Sequence, residues 1–232
     1  MTPRAPVRFI LAAEGKSDFR RIGVLVNHIL AARSPEEPLP NAPWHFEPVD
    51  GKDYISIKAI PALARECGLS QRYTRGDADS LRRLYHVLKV KKLLSPGTVI
   101  IWARDDDGDP KRRNLAIEAR SELKSESPIL LAVASECGEA WVLAGWTTVL
   151  PNPAKETDLR RRLGFHPHEH PQRLSHKEGV PKSAKTVLRE VFAGDFNKEA
   201  EALIAAADSG SSAARQCGLT AFCEELKACC RT

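Results

Sequence analysis

Three short apolar runs constrain this chain more than any other feature: Val7 to Ala13 (VRFILAA), Thr98 to Ala103 (TVIIWA) and Ile129 to Ala134 (ILLAVA). None alternates apolar with polar residues as a strand with one wet face does. Continuous apolar runs of this length fit strands buried on both faces of a parallel sheet. The intervening segments carry helical spacing. From Ser17 to Ala32 the apolar positions Ile22, Leu25, Val26, Ile29 and Leu30 form one stripe, with Ser17 placed to cap its start. Further helices are predicted at Ile57 to Cys67 and Asp79 to Leu94, and a second strand at HFEPV, 45–49, after the Pro-rich stretch Ser34 to Pro43. Strands alternating with helices argue for an α/β fold with a parallel sheet flanked by helices.

Beyond Pro151 the strand signals stop. Helices are expected at Lys155 to Leu163, Lys182 to Phe192, Lys198 to Ala207 and Thr220 to Cys230, with Ser209 to Ser212 as a connecting loop. The expected organisation is an α/β domain over residues 1–150 and a helical C-terminal region over 151–232 that packs on it or extends it.

Apolar residues make up 42% of the chain and charged residues 28%, a balance that excludes wholesale disorder and fibrous architectures. No segment approaches the roughly 18 consecutive apolar residues of a membrane span. Arg4 and Arg8 beside Phe9 to Ala13 imitate a signal peptide faintly, but the run is short and Glu14 interrupts it, so a cytoplasmic protein is expected. In that compartment the six cysteines are expected as free thiols; they lack paired C-x-x-C spacing. The net charge of +5 is mild, but the cations are clumped at Arg20-Arg21, Arg82-Arg83, Lys89 with Lys91-Lys92, Lys111-Arg112-Arg113 and Arg160-Arg161-Arg162. Such clumps suit a phosphate-tracking surface, and they equally suit solvated helix faces.

The chemistry is expected where the strands end, because ligands of parallel α/β sheets collect at the carboxyl edge. Three predicted strands end in acids: Glu14, then Asp105 to Asp109, then Glu136 with Glu139. Carboxylates converging on one edge repel one another unless a cation sits among them. Oxygen donors without interleaved His or Cys favour Mg²⁺ or Mn²⁺ over zinc. Asp109 followed by Pro110 also fits the start of a helix.

In order and context these residues resemble a known family. A strand followed by Glu14-Gly15 and Ser17-Asp18, then a strand followed by Asp105-x-Asp107-Gly108, resembles the TOPRIM domain of topoisomerases, primases and overcoming-lysogenisation-defect (OLD) nucleases. Glu139-Ala140-Trp141, continuing Val-Leu-Ala, is similar to an element of small bacterial TOPRIM-like proteins related to those nucleases. The resemblance spans about residues 7–145, with a weaker echo at Lys182 to Phe192. It implies that Glu14 is a metal ligand or general base, that Asp105 and Asp107 are metal ligands with the register inside Asp105-Asp106-Asp107 open by one residue, and that Glu136 and Glu139 complete a second metal position. Asp109 joins the acidic set without a counterpart in the family pattern. Lys185, near His176 and Lys177, would be the lysine that stabilises transition-state charge; its alternative is a solvated helix lysine. Lys111, Arg112, Arg113 and Lys182 would contact nucleic acid.

The function so implied is Mg²⁺-dependent hydrolysis of DNA or RNA phosphodiesters, in phage or mobile-element defence with a partner ATPase. A topoisomerase is not expected, since only Tyr54, Tyr73 and Tyr85 offer a phenol and there is little room for a strand-passing domain. A phosphoaspartate protein needs an aspartate where Glu14 stands. A non-catalytic interaction module, a Mg²⁺-dependent phosphatase and a nucleotidyl transferase stay open. His166-x-His168-x-His170, interleaved with Pro167 and Pro171, reads as an extended solvent loop with no acid or Cys placed in the sequence to complete a metal site. Trp102 and Trp141 read as core residues.

Overall fold

The computed structural model describes residues 7–32, 44–69 and 76–230. Arg4, the Pro-rich stretch Ser34 to Pro43 and Tyr73 lie outside them. The three apolar runs are the strands of one parallel sheet: β1 (Val7–Ala13), β4 (Thr98–Asp105) and β5 (Ile129–Ala134), with the short β2 (Trp44–Phe46) and β3 (Ile55–Ser56) on the other side of β1. The strand order is β2-β1-β4-β5, and β3 also pairs with β1. Parallel register sets Ile10 against Ile100 and Ala12 against Trp102. Residues 9–13, 98–103 and 129–134 are all buried, which is why these strands read as unbroken apolar runs. Trp102 is fully buried in the sheet.

Helix α1 (Lys16–Ala31) buries Arg21, Ile22, Leu25, Val26, Ile29 and Leu30, the expected stripe plus one arginine. Its start differs from the sequence expectation. Ser17 lies inside the first turn, and the Gly15 N–H donates to Asp18 Oδ2 at 3.1 Å, so an acid in the first turn reaches back to cap the helix. Helices α2 (Ile60–Glu66), α3 (Asp77–Val90) and α4 (Pro110–Leu123) follow in order, α4 opening on Pro110 as expected.

After β5 come α5 (Glu139–Leu143), α6 (Trp146–Val149), α7 (Pro153–Leu163), α8 (Ala184–Phe192), α9 (Phe196–Ser209), α10 (Ser212–Gln216) and α11 (Leu219–Cys229). The C-terminal region is helical, as its composition indicated. The segment expected as a loop at Ser209 to Ser212 is only a break between α9 and α10, where Ser211 caps α10 by accepting from the Ala214 N–H. All described cysteines are free thiols. No helix among the described residues is long and apolar enough to cross a membrane.

The chain forms two compact units, each assembled from separate stretches. The first draws on Met1–Phe19, Ala31–Ala103 and Lys111–Leu131; it holds the body of the sheet, and in it α2 packs on α3. The second draws on Arg20–Leu30, Arg104–Pro110 and Ala132–Thr232. In it α9 is the central helix, packed by α5, α6, α8 and α11.

Candidate functional site

Within the second unit, the turn after β4 and the turn after β5 are locked together by one buried carboxylate. Asp106 accepts hydrogen bonds from the Gly108 N–H (3.0 Å), the Glu136 N–H (2.7 Å) and Ser135 Oγ (3.2 Å). Its backbone N–H donates to Ala134 O, extending the ladder between the two strand ends. Asp106 is 4% exposed, with Oδ1 serving two backbone N–H groups and Oδ2 the Ser135 hydroxyl, whereas Asp105 and Asp107 on either side are half-buried. Asp105 accepts from the Gly138 N–H at 2.9 Å, which ties it to the residue preceding α5. Asp106→Ala is expected to leave the part-buried Gly108 and Glu136 N–H groups without their acceptor and to lower stability by about 1–3 kcal/mol, read as a fall in the denaturant midpoint.

The turn carries backbone features that only a held geometry explains. Glu136 and Asp107 both have positive φ, 65° and 51°. Gly108 has φ +74°, and a Cβ there would meet Glu136 Oε1 at 2.3 Å, so the Glu136 carboxylate lies directly against the glycine backbone. His176 reaches the same carboxylate, Nδ1 to Oε2 at 3.2 Å. It is delivered by a clamped loop: Ser175 N–H donates to Lys182 O and Ala184 N–H to Ser175 O, closing residues 176–181 just before α8.

Glu139, in the first turn of α5, is 5% exposed and pairs with Arg21, 7% exposed, at 2.9 Å. Burial opposes its ionisation, and the Arg21 charge and hydrogen bond overcome that, holding the carboxyl below its usual range. Lys185, near the start of α8, donates to Glu178 at 2.8 Å. That bond raises its pKa against partial burial, and the charges of Glu139, Glu178 and Asp105 raise it further. Lys185 is an exposed cation whose one close partner among the described residues is Glu178. Cys137 lies between Glu139 and Asp105, and burial, with their charges beside it, pushes its thiol well up. It stays protonated and is no nucleophile.

A second set of hydrogen bonds fixes the turn from behind. The Cys217 carbonyl, in the α10–α11 connection, accepts from the Ser135 N–H at 3.0 Å and from Trp141 Nε1 at 2.7 Å. Trp141 also stacks on Phe222, ring centroids 5.9 Å apart, as a core residue.

In the second unit Asp105, Asp107, Glu136 and Glu139 lie on the joined turns after β4 and β5, with Arg21, Asp106 and His176 as hydrogen-bond partners, while Lys185 lies in α8 and pairs with Glu178. Asp109 is exposed ahead of Pro110. Glu14 directly follows β1 in the first unit, half-buried. Lys111 and Lys182 are exposed, and Lys182 lies over the Phe165 ring. Many of the clumped cations already face acids: Arg82 with Asp79 and Glu122, Lys91 with Asp50, Arg112 with Asp77, Arg161 with Asp158 and Arg162 with Glu190. The His166 to His170 stretch is a turn rather than an extended loop, since the N–H groups of Glu169 and His170 both donate to His166 O.

Comparison with family models, with curated proteins and with solved structures finds no match.

Proposed function

We propose that this chain is a Mg²⁺-dependent phosphodiesterase of TOPRIM type, acting on DNA or RNA. The observation that carries the reading is the joining of the turns after β4 and β5: Asp105 accepts from the Gly138 N–H and Asp106 from the Glu136 N–H, which brings Asp105, Glu136 and the start of α5 at Glu139 onto tied turns. The fit to a hard cation rests on the donor chemistry. Asp105, Glu136 and Glu139 are carboxylates, whose oxygens each carry more than one lone pair and suit a hard cation, and they stand on the turns after β4 and β5. Asp106 braces the turn through three hydrogen bonds, and Asp105 and Asp107 are the ligand pair that the family resemblance implies. Glu14 enters as a ligand or general base on its sequence position after β1.

Bound Mg²⁺ supplies a water of lowered pKa and a Lewis acid for a phosphoryl oxygen. The protein's part is to orient those oxygens through the Asp106 brace and to hold Lys185 as a cation where charge develops on the phosphate. His176, beside Glu136, is within reach to move a proton at that edge. Lys111, Arg112, Arg113 and Lys182 would contact the nucleic-acid backbone. A role in phage or mobile-element defence with a partner ATPase rests on the family resemblance.

The test is cleavage of supercoiled, linear and single-stranded DNA and of RNA in Mg²⁺ or Mn²⁺, alongside Mn²⁺ binding measured by electron paramagnetic resonance. The wild type is expected to bind Mn²⁺. Asp105→Asn and Glu136→Gln should lose both binding and cleavage, while Lys185→Ala should keep binding and lose cleavage. Undiminished Mn²⁺ binding by Asp105→Asn, or none by the wild type, would overturn the reading. Because Arg82, Arg112 and Arg162 are paired with acids, hydrolysis of a small phosphate ester is the second reading. Turnover of an aryl phosphate without cleavage of any nucleic acid would select it.

A further inference from the structure

A second cluster, chemically unlike the first, lies elsewhere in the second unit. We propose that Glu156, His166 and His168 bind one transition-metal ion of the zinc class, with water as the fourth ligand. Glu169 stands between His168 and His170, but its side chain is largely exposed and only reaches His168 Nε2 at 3.7 Å; the acid that joins both histidines is Glu156, brought by the fold from ten residues upstream. Asn152 caps α7 by accepting from the Lys155 N–H, which sets Glu156 in the first turn. The helix ends on Gly164 in the left-handed region, φ 79°, and the chain reverses. Phe165 is buried, and the turn closed on His166 O then presents His166 and His168 together, ring centroids 5.4 Å apart. One ligand atom from each of the three residues lies within 4.8 Å of the other two.

Two further observations point to a ligand. Nδ1 of His166 and Nδ1 of His168 are both buried and have no hydrogen-bond partner. A buried ring nitrogen without a partner is unfavourable, and a coordinated metal satisfies it. Trp146 holds the His168 ring edge-on at 5.8 Å, fixing its orientation. Donors around tetrahedral zinc stand roughly 3.4 Å apart, so side-chain rotations moving atoms by about an ångström complete the set. Two imidazoles and one carboxylate select zinc, cobalt or nickel over Mg²⁺. The bound ion would clasp the 166–170 turn to α7. This site shares no residue with the proposed Mg²⁺ site, so it stands or falls independently.

Co²⁺ is the probe, added to tag-free full-length protein stripped with chelator. One equivalent is expected to give the intense visible absorption of a tetrahedral ion, unaffected by excess Mg²⁺ and displaced by Zn²⁺. His166→Gln and Glu156→Gln, each checked for native circular dichroism, should weaken binding by roughly 100-fold. In the wild type, Zn²⁺ should also protect His166 and His168 from diethylpyrocarbonate, mapped by mass spectrometry, a readout that needs no variant to fold. Absence of the tetrahedral band, equal Co²⁺ affinity in both folded variants, or equal modification of the two histidines with and without Zn²⁺ would each overturn the site.

Discussion

Arg21→Ala is expected to cost the fold about 3–5 kcal/mol at neutral pH, because it leaves the Glu139 carboxylate buried without its counter-charge. The sign of the pH dependence makes the prediction sharper. In the wild type the Glu139 carboxyl is held below its usual range, so its ionised form contributes stability above the unfolded-state pKa, and that contribution is lost as pH falls through the lower folded value. Without Arg21, burial governs and pushes the same carboxyl up. The variant should then regain stability as pH drops from neutral towards the ordinary carboxylate range, as the folded state takes up the proton. Glu199, raised by burial and partly lowered by Arg21, contributes with that second sign and more strongly once Arg21 is gone, so the difference is measured in a Glu199→Gln background, in urea melts across pH. A difference that stays constant with pH would show that Glu139 does not sense Arg21. Replacing the pair together, Arg21→Met with Glu139→Leu, should recover most of the loss, since removing both charges leaves none buried alone.

That arginine also shows where the sequence stops being legible. The main strands could be read because burial on both faces leaves apolar runs with no polar interruption, and the second unit's acids because they directly follow two of those runs. Arg21 could not be assigned, because an arginine inside an amphipathic helix looks solvated whether or not an acid more than a hundred residues away meets it. Asp105, Asp106 and Asp107 are identical letters, and only the hydrogen bonds to Gly108, Ser135 and Glu136 distinguish the middle one as the brace. The pair Ile55–Ser56 is too short for any periodicity, and pairing with β1 alone makes it a strand. Glu156 was missed beside the histidines because a helix and a reversal, not local spacing, place it there.

Gly145→Ala should be a severely damaging single-methyl addition. Its φ of −108° suits any residue, so the need for glycine is purely steric. A Cβ there would sit 1.9 Å from Ala202 O and 2.7 Å from Ala206 N, both backbone atoms of α9. Helix backbone inside a packed bundle cannot swing aside as a side-chain tip can, so α6 and α9 must separate. Overpacking usually costs about 1–3 kcal/mol, and a clash with rigid backbone belongs at or above the top of that range. For a chain of this size about 3 kcal/mol lowers the melting midpoint by roughly 6–12 °C. Ala202→Gly in the same molecule should not restore it, because the obstruction is the carbonyl and not the methyl group; rescue by that change would show that the close approach is made by side chains. The consequence reaches the acids, since α9 packs on α5, which begins at Glu139, and carries Glu199. Parting these helices should loosen Glu139 from its held position, so Gly145→Ala should also weaken Mn²⁺ binding at temperatures where the variant is still folded.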